Sequence, residues 1–196
     1  MDGIQGDVDT LLRTRPAGDV EVIEAMVVGY RGPVYRLALS ILNDSDDADD
    51  AVQDTFLRAA AAIHRYQVGT NFKAWIYTIA VNTCRDYLRK RAARAARDTV
   101  LQAIYIFTDR SPGPEAAAIQ NESRARLWDL VDQLGEKHRL VVILRLAHDL
   151  TILEISQILE IQEKTVYSRL YDAFKKLRQK LAQLPEHENF WLEERS

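Results

Sequence analysis

Apolar residues recur at helical period along almost the whole chain, and no segment shows the strict alternation of a half-buried strand. The clearest case is residues 71–91, NFKAWIYTIAVNTCRDYLRKR. Phe72, Trp75, Ile76, Ile79, Ala80, Thr83, Tyr87 and Leu88 fall at spacings of 0, 3, 4, 7, 8, 11, 15 and 16, one continuous face of a helix. Thr78, Asn82, Arg85 and Arg89 form an opposite polar stripe, so a basic cluster points outward from a domain built by the aromatics. The same period continues on both sides, which predicts an all-α fold. A first helix over residues 19–29 should bury Val20, Ile23 and Val27, and Gly32-Pro33 should restart the chain for Val34, Leu37, Ala38 and Ile41. Ser45 is the expected N-cap of the next helix, with Val52, Phe56, Ala59, Ala60 and Ile63 on its inner face.

Charge is segregated, which says more about partners than the net −3 does. Residues 43–54 hold six Asp and no cation. Residues 85–97 hold six Lys or Arg against Asp86, and residues 163–181 hold six against Glu163 and Asp172. Such a chain offers one acidic and two basic surfaces, suited to a basic protein and a polyanion. The Asp-rich run lacks the central Gly and closing Glu of a calcium loop, leaving a capped helix start and an acidic docking surface as readings that can both hold. Cys84 stands alone and reads as core filler, and His64, His138, His148 and His187 lack ligand or triad spacing. No cofactor, metal or enzymatic activity is expected. No run approaches the roughly 18 apolar residues of a membrane span, and the start MDGIQGDVDT is unlike a signal peptide. The expected location is cytoplasmic, without membrane insertion.

After Arg97 the periodicity decays, and SPGPEAAA has linker punctuation. The expected division is therefore an extension at 1–18, a helical domain at 19–97, a linker at 98–122, a second helical domain at 123–184 and a tail at 185–196. Within the second domain Thr151 and Glu154 form a capping box for a short helix. A tight turn and a longer basic helix follow, with Val166, Leu170, Ala173, Phe174, Leu177 and Leu181 as its expected core. An ordinary helical hairpin has the same outline. The outward face of Lys164, Ser168, Tyr171 and Lys175, flanked by Thr165, Arg169 and Lys176, favours a DNA-binding helix-turn-helix, since hydroxyls and cations suit base edges and phosphates. For residues 85–97 the plain reading is a solvated helix end. Asn82, Arg85 and the polar loop at 67–71 favour a surface for unstacked bases.

Taken in order, DDADDAVQDTFLRAAAAI, FKAWIYTIAVNTCRDYLRKR and LGEKHRLVVILRLAHDLTILEISQILEIQEKTVYSRLYDAFKKLRQKL resemble the extracytoplasmic-function (ECF) sigma factors of bacteria over residues 20–184. The resemblance implies sigma-2 and sigma-4 domains joined by the linker, and a role in directing core RNA polymerase to promoters. It assigns Ala48, Asp49, Asp50, Gln53, Asp54 and Phe56 to docking on the clamp helices of the largest polymerase subunit. It assigns Asn71, Lys73, Asn82, Arg85, Arg89 and Arg91, with the loop before them, to the melted −10 element. Lys164, Thr165, Tyr167, Ser168, Arg169, Tyr171 and Lys175 then serve the −35 duplex. Implied partners are the clamp helices and flap of core polymerase, double- and single-stranded promoter DNA, and an anti-sigma factor. The chain departs from the family at Tyr167 and Asp172, where cations are common, and at Leu159-Glu160-Ile161, where Leu-Gly-Ile is usual. A conventional helix-turn-helix repressor or activator with an N-terminal regulatory domain is the alternative, followed by a helical adaptor that binds only protein.

Overall fold

The structure, a computed structural model, describes residues 2–102 and 128–182, with side chains over 8–94 and 128–182. The linker residues 103–122 and the tail 185–196 lie outside the described residues. Helices are the sole regular elements among the described residues, as the apolar period requires. The chain divides into two compact units, one of Met1–Thr108 with Leu153–Glu160 and one of Asp109–Ile152 with Ile161–Ser196.

In the first unit α1 (Asp2–Thr14), α2 (Val20–Leu42), α3 (Ser45–Ala62) and α4 (Phe72–Gln102) form a bundle in which α2, α3 and α4 pack on one another. The expected break at Gly32-Pro33 does not occur: α2 runs through Pro33. An interior proline costs roughly 3 kcal/mol. Val22, Met26, Tyr30, Val34, Leu37, Ile41 and Leu42 are buried along the same helix, and each large apolar side chain contributes about 1.5–3 kcal/mol. Burial therefore overrides the local signal. The inner face also shifts from the expected one, with Val20 exposed and Val22 and Met26 buried in its place. Asp19 caps the start of α2 by accepting from Glu21 N–H at 2.9 Å, and Asn43 ends it in the left-handed conformation.

Asp44, rather than Ser45, caps α3, its Oδ1 accepting from Asp46 and Asp47 N–H at 3.0 and 2.9 Å. A carboxylate answers the positive helix end better than a hydroxyl. The inner face of α3 is small, Ala48, Ala51, Val52, Thr55 and Ala59, with Phe56 and Ala60 half-buried. Asn71 caps α4 by accepting from Ala74 N–H at 3.0 Å. The buried face of α4 is wider than the sequence stripe: Tyr77, Val81 and Cys84 join Phe72, Ile76, Ala80 and Thr83, while Trp75, Ile79, Tyr87 and Leu88 are half-buried. Neighbours on two sides explain the width, since α4 meets both α2 and α3. The helix also continues to Gln102, beyond the expected boundary at Arg97.

In the second unit, helical backbone at residues 128–132 leads to α5 (Glu136–Val142). A widened turn of π type follows over Ile143–Ala147, and Leu150 N–H closes it on Leu144 O at 3.2 Å. Along the chain α6 (Ile152–Leu159) begins directly after Thr151, its residues from Leu153 onward counting with the first unit, and α7 (Glu163–Leu181) returns to the second. Val166, Leu170, Ala173 and Leu177 form the buried stripe of α7, which packs on α5. Phe174, expected in this core, is instead 39% exposed, because it stands one position, about 100°, beyond Ala173. Glu160, between α6 and α7, has φ 53°. The resemblance implies glycine at this position, and the left-handed backbone gives the reason.

Candidate nucleic-acid and protein interfaces

The outward side of α3 is acidic. Asp49, Asp50 and Gln53 are exposed, whereas Ala48 is fully buried and Phe56 half-buried, so these two support the face from beneath. Asp54 is half-buried and its Oδ2 accepts from the Tyr87 hydroxyl at 3.1 Å. Burial and then this carboxylate push the Tyr87 phenol up to about 12. Leu57, at 69% exposure, continues the same face one turn beyond Gln53 and Asp54. Sequence reasoning missed it. The signal was available: a leucine out of register with the small-residue stripe Ala48, Ala51, Val52, Thr55 and Ala59 has no inner place to go.

Charged groups of α4 are partly committed to holding α3 and α2. Arg58 donates to Asp86 at 2.7 Å, and Arg89 reaches the other oxygen of the same carboxylate. The Arg58 hydrogen bond, with Arg89 adding to it, lowers the Asp86 pKa from its ordinary value. Arg91 donates to Leu42 O at 3.2 Å and lies 3.9 Å from Asp47. Of the six candidates for the −10 element, Asn82 and Arg85 are brought together, Arg85 Nη1 donating to Asn82 Oδ1 at 3.3 Å. Asn82, Arg89 and Arg91 are exposed, and Arg85 is half-exposed. Lys73 is half-buried with Nζ 5.8 Å from the Tyr77 ring centroid, and the Asn71 side-chain oxygen is occupied as a cap.

The loop before α4 is exposed from Gln67 to Thr70 and turns at Gly69, whose φ of 88° excludes most other residues. Thr70 closes the turn, its N–H and hydroxyl donating to Gln67 O at 3.1 and 2.7 Å. Beneath it Tyr66, Phe72 and Trp75 pack with ring centroids 5.0–5.4 Å apart, and Tyr30 adds a fourth ring 5.1 Å from Phe72. The loop thus stands on a rigid aromatic floor.

On α7 the polar face is as expected: Lys164, Ser168, Asp172, Lys175 and Lys176 are exposed, and Thr165 and Arg169 are half-buried. Tyr167 and Tyr171, at 60% and 70% exposure, stand one turn apart among them. Burial first, and the charge of Lys176 next, lower the pKa of His138 on α5. Such a face can meet phosphates through its ends and base edges through Ser168 and Tyr171. Among the described residues no group of three His, Cys, Asp or Glu could hold a metal, and no helix is long and apolar enough to cross a membrane. Cys84 is buried, which pushes its thiol up to about 12.

Two family models match, Sigma-70 region 2 over residues 26–94 and Sigma-70 region 4 over residues 124–177. The ECF RNA polymerase sigma factor SigW of Bacillus subtilis is 28% identical over 174 residues, covering 85% of this chain and 92% of the relative. RNA polymerase sigma factor SigV of the same organism is 30% identical, covering 78% and 86%. The ECF RNA polymerase sigma-E factor of Escherichia coli is 31% identical, covering 80% and 84%. Two solved structures share the fold at TM-score 0.62 and 23% identity. They are CnrH in complex with the cytosolic domain of CnrY, covering 91% of this chain and 95% of that one, and the sigma factor RpoE of Bartonella quintana in complex with the anti-sigma factor NepR, covering 85% and 100%. These relatives match across both domains, which a repressor with an unrelated regulatory domain would not give. The chain belongs to the sigma-70 family, as an RNA polymerase sigma factor of the ECF type.

Proposed function

We propose that this sigma factor divides its work among three surfaces. Asp49, Asp50, Gln53 and Leu57 on α3 dock on the clamp helices of core polymerase, with Asp54, Ala48 and Phe56 supporting the face. The loop at 67–71 with Lys73, Asn82, Arg85 and Arg89 receives the melted −10 strand, and Arg91 acts chiefly as a tie between α4 and α2. Ser168 and Tyr171 read −35 base edges, Tyr167 lies at the margin, and Lys164, Thr165, Arg169 and Lys175 hold phosphates. The functional division follows residues 19–97 and 123–184, α6 and α7 acting as one helix-turn-helix. The chain works in the cytoplasm by binding, and polymerase supplies all catalysis. An anti-sigma protein is a further partner, of the kind that NepR is for the sigma factor RpoE of Bartonella quintana.

The observation that carries this reading is the separation of exposed chemistry: carboxylates and a leucine on α3, amide and guanidinium on α4, hydroxyls, aromatics and ammonium groups on α7. A photo-crosslinking residue placed singly at Gln53, Asn82 or Ser168 in the holoenzyme tests it. Gln53 should capture the largest polymerase subunit, Asn82 the −10 non-template strand and Ser168 the −35 duplex. Capture of DNA from Gln53, or of polymerase from Ser168, contradicts the division.

A further inference from the structure

Residues 1–18 read as an extension, and the region 2 match begins only at residue 26. Yet α1 packs on α2 and α4, with Val8 fully buried. One turn of α1 lies at the base of the loop before α4. The Tyr66 hydroxyl lies 2.9 Å from both Asp9 Oδ1 and Thr70 O and shares its single proton between these two acceptors in a three-centre hydrogen bond. Tyr66 is buried, Asp9 is half-buried, and 57 residues separate them in sequence. One phenol thus ties the carbonyl that ends the exposed turn to a carboxylate on a different helix. Four residues along, the exposed Arg13 places Nη2 3.5 Å from the point a Cβ would occupy at Gly69, the tip of that turn.

We propose that α1 is a working part of the −10 interface: Asp9 is a positioning residue that fixes the loop through Tyr66, and Arg13 supplies a cation to the backbone of the DNA strand the loop receives. The proposal rests on the assignment of the loop and of Asn82 and Arg85 to melted DNA. Fixing matters because a loop that stays in its receiving shape gives up less conformational freedom on binding. Tyrosine alone among the aromatics of this floor can make the tie, since its hydroxyl reaches beyond the ring into the polar edge. The guanidinium beside Gly69 meets a backbone that has no side chain to shield it, so a phosphate can approach closely.

The test uses the full chain bound to core polymerase and a single-stranded DNA oligonucleotide chosen from a random pool by the wild-type holoenzyme. Tyr66→Phe and Asp9→Ala should each weaken oligonucleotide binding by about three- to ten-fold, the scale of one net hydrogen bond. The double variant should be no weaker than Tyr66→Phe alone, because without the hydroxyl Asp9 has nothing to act through. Asp9→Asn, which keeps an accepting oxygen, should restore binding. Arg13→Ala should lower the slope of log affinity against log salt by about 0.7, the value for one phosphate on a single strand, and Tyr66→Phe should leave the slope unchanged. Core binding should stay the same throughout. If Tyr66→Phe and Asp9→Ala lower only the melting temperature, the tie is structural and the positioning role is overturned. An unchanged slope in Arg13→Ala overturns the phosphate contact. The double replacement of Asn82 and Arg85 by Ala separates the two levels: if it too leaves the oligonucleotide bound as before, the parent assignment fails, and if it weakens binding while the α1 variants do not, only the present inference fails.

Discussion

Leu57→Ala should weaken binding to core polymerase by roughly 5- to 30-fold without weakening the fold. Fully burying a leucine side chain contributes about 1.5–3 kcal/mol. With 69% of Leu57 exposed and available to a partner, about 1–2 kcal/mol is at stake, which sets the expected change in affinity. Truncation leaves no cavity, because the side chain lies outside the core formed by Ala48, Ala51, Val52, Thr55 and Ala59. Stability should therefore change by under about 0.5 kcal/mol. Binding kinetics on immobilised core polymerase, beside a thermal melt, provide the assay. The loss should lie in a faster off-rate at all salt concentrations, whereas Asp50→Lys on the same face should slow the on-rate most at low salt. Undiminished binding by Leu57→Ala, or a loss that tracks a lowered melting temperature, would remove Leu57 from the polymerase interface.

On α7, Lys175→Ala should weaken binding to all promoters alike and flatten its salt dependence, while Tyr171→Ala should relax the preference at particular −35 positions by about 1–3 kcal/mol; randomised −35 libraries distinguish the two. Replacing Arg85 and Arg89 with Ala should impair open-complex formation on duplex promoters more than on premelted ones, read by permanganate reactivity, and equal loss on both would remove them from melting. Asp86 has a lowered pKa in the fold, so its contribution to stability is present above its unfolded value near pH 4 and disappears as pH falls through the folded value. Denaturant unfolding of Asp86→Asn should therefore differ from wild type at neutral pH, by under about 1 kcal/mol for this partly exposed pair, and converge with it in acid.

Fold class and the polar face of α7 were legible because both follow from period alone: Val166, Leu170, Ala173 and Leu177 set the buried stripe, and Ser168 and Tyr171 must then face outward. What period could not show was the outcome of competition between local and tertiary terms. Pro33 signals a break in isolation, yet α2 continues because the residues on both sides share one core. Ser45 is a good cap, and Asp44 is a better one at the adjacent position. The width of the buried face of α4 depends on having two neighbours, which a single-helix pattern does not contain. In the candidate sites, residue type singled out Arg91 and Asp54 but not their partners across the bundle, Leu42 O for Arg91 and the Tyr87 hydroxyl for Asp54. The Asp9–Tyr66 pair was illegible for the same reason, its members lying 57 residues apart in sequence with no pattern joining them.

Two separate surfaces of one chain are proposed to read two separate promoter elements. Transcription by the reconstituted holoenzyme from a library randomised at both elements, with start sites mapped by sequencing, distinguishes this from a shared surface. Ser168→Ala and Tyr171→Ala should change the preferred −35 sequence and leave the −10 preference intact, whereas Asn82→Ala should do the reverse. If any of these variants alters both elements together, or if α7 variants alter only the −10 preference, the division of labour between the two surfaces is wrong.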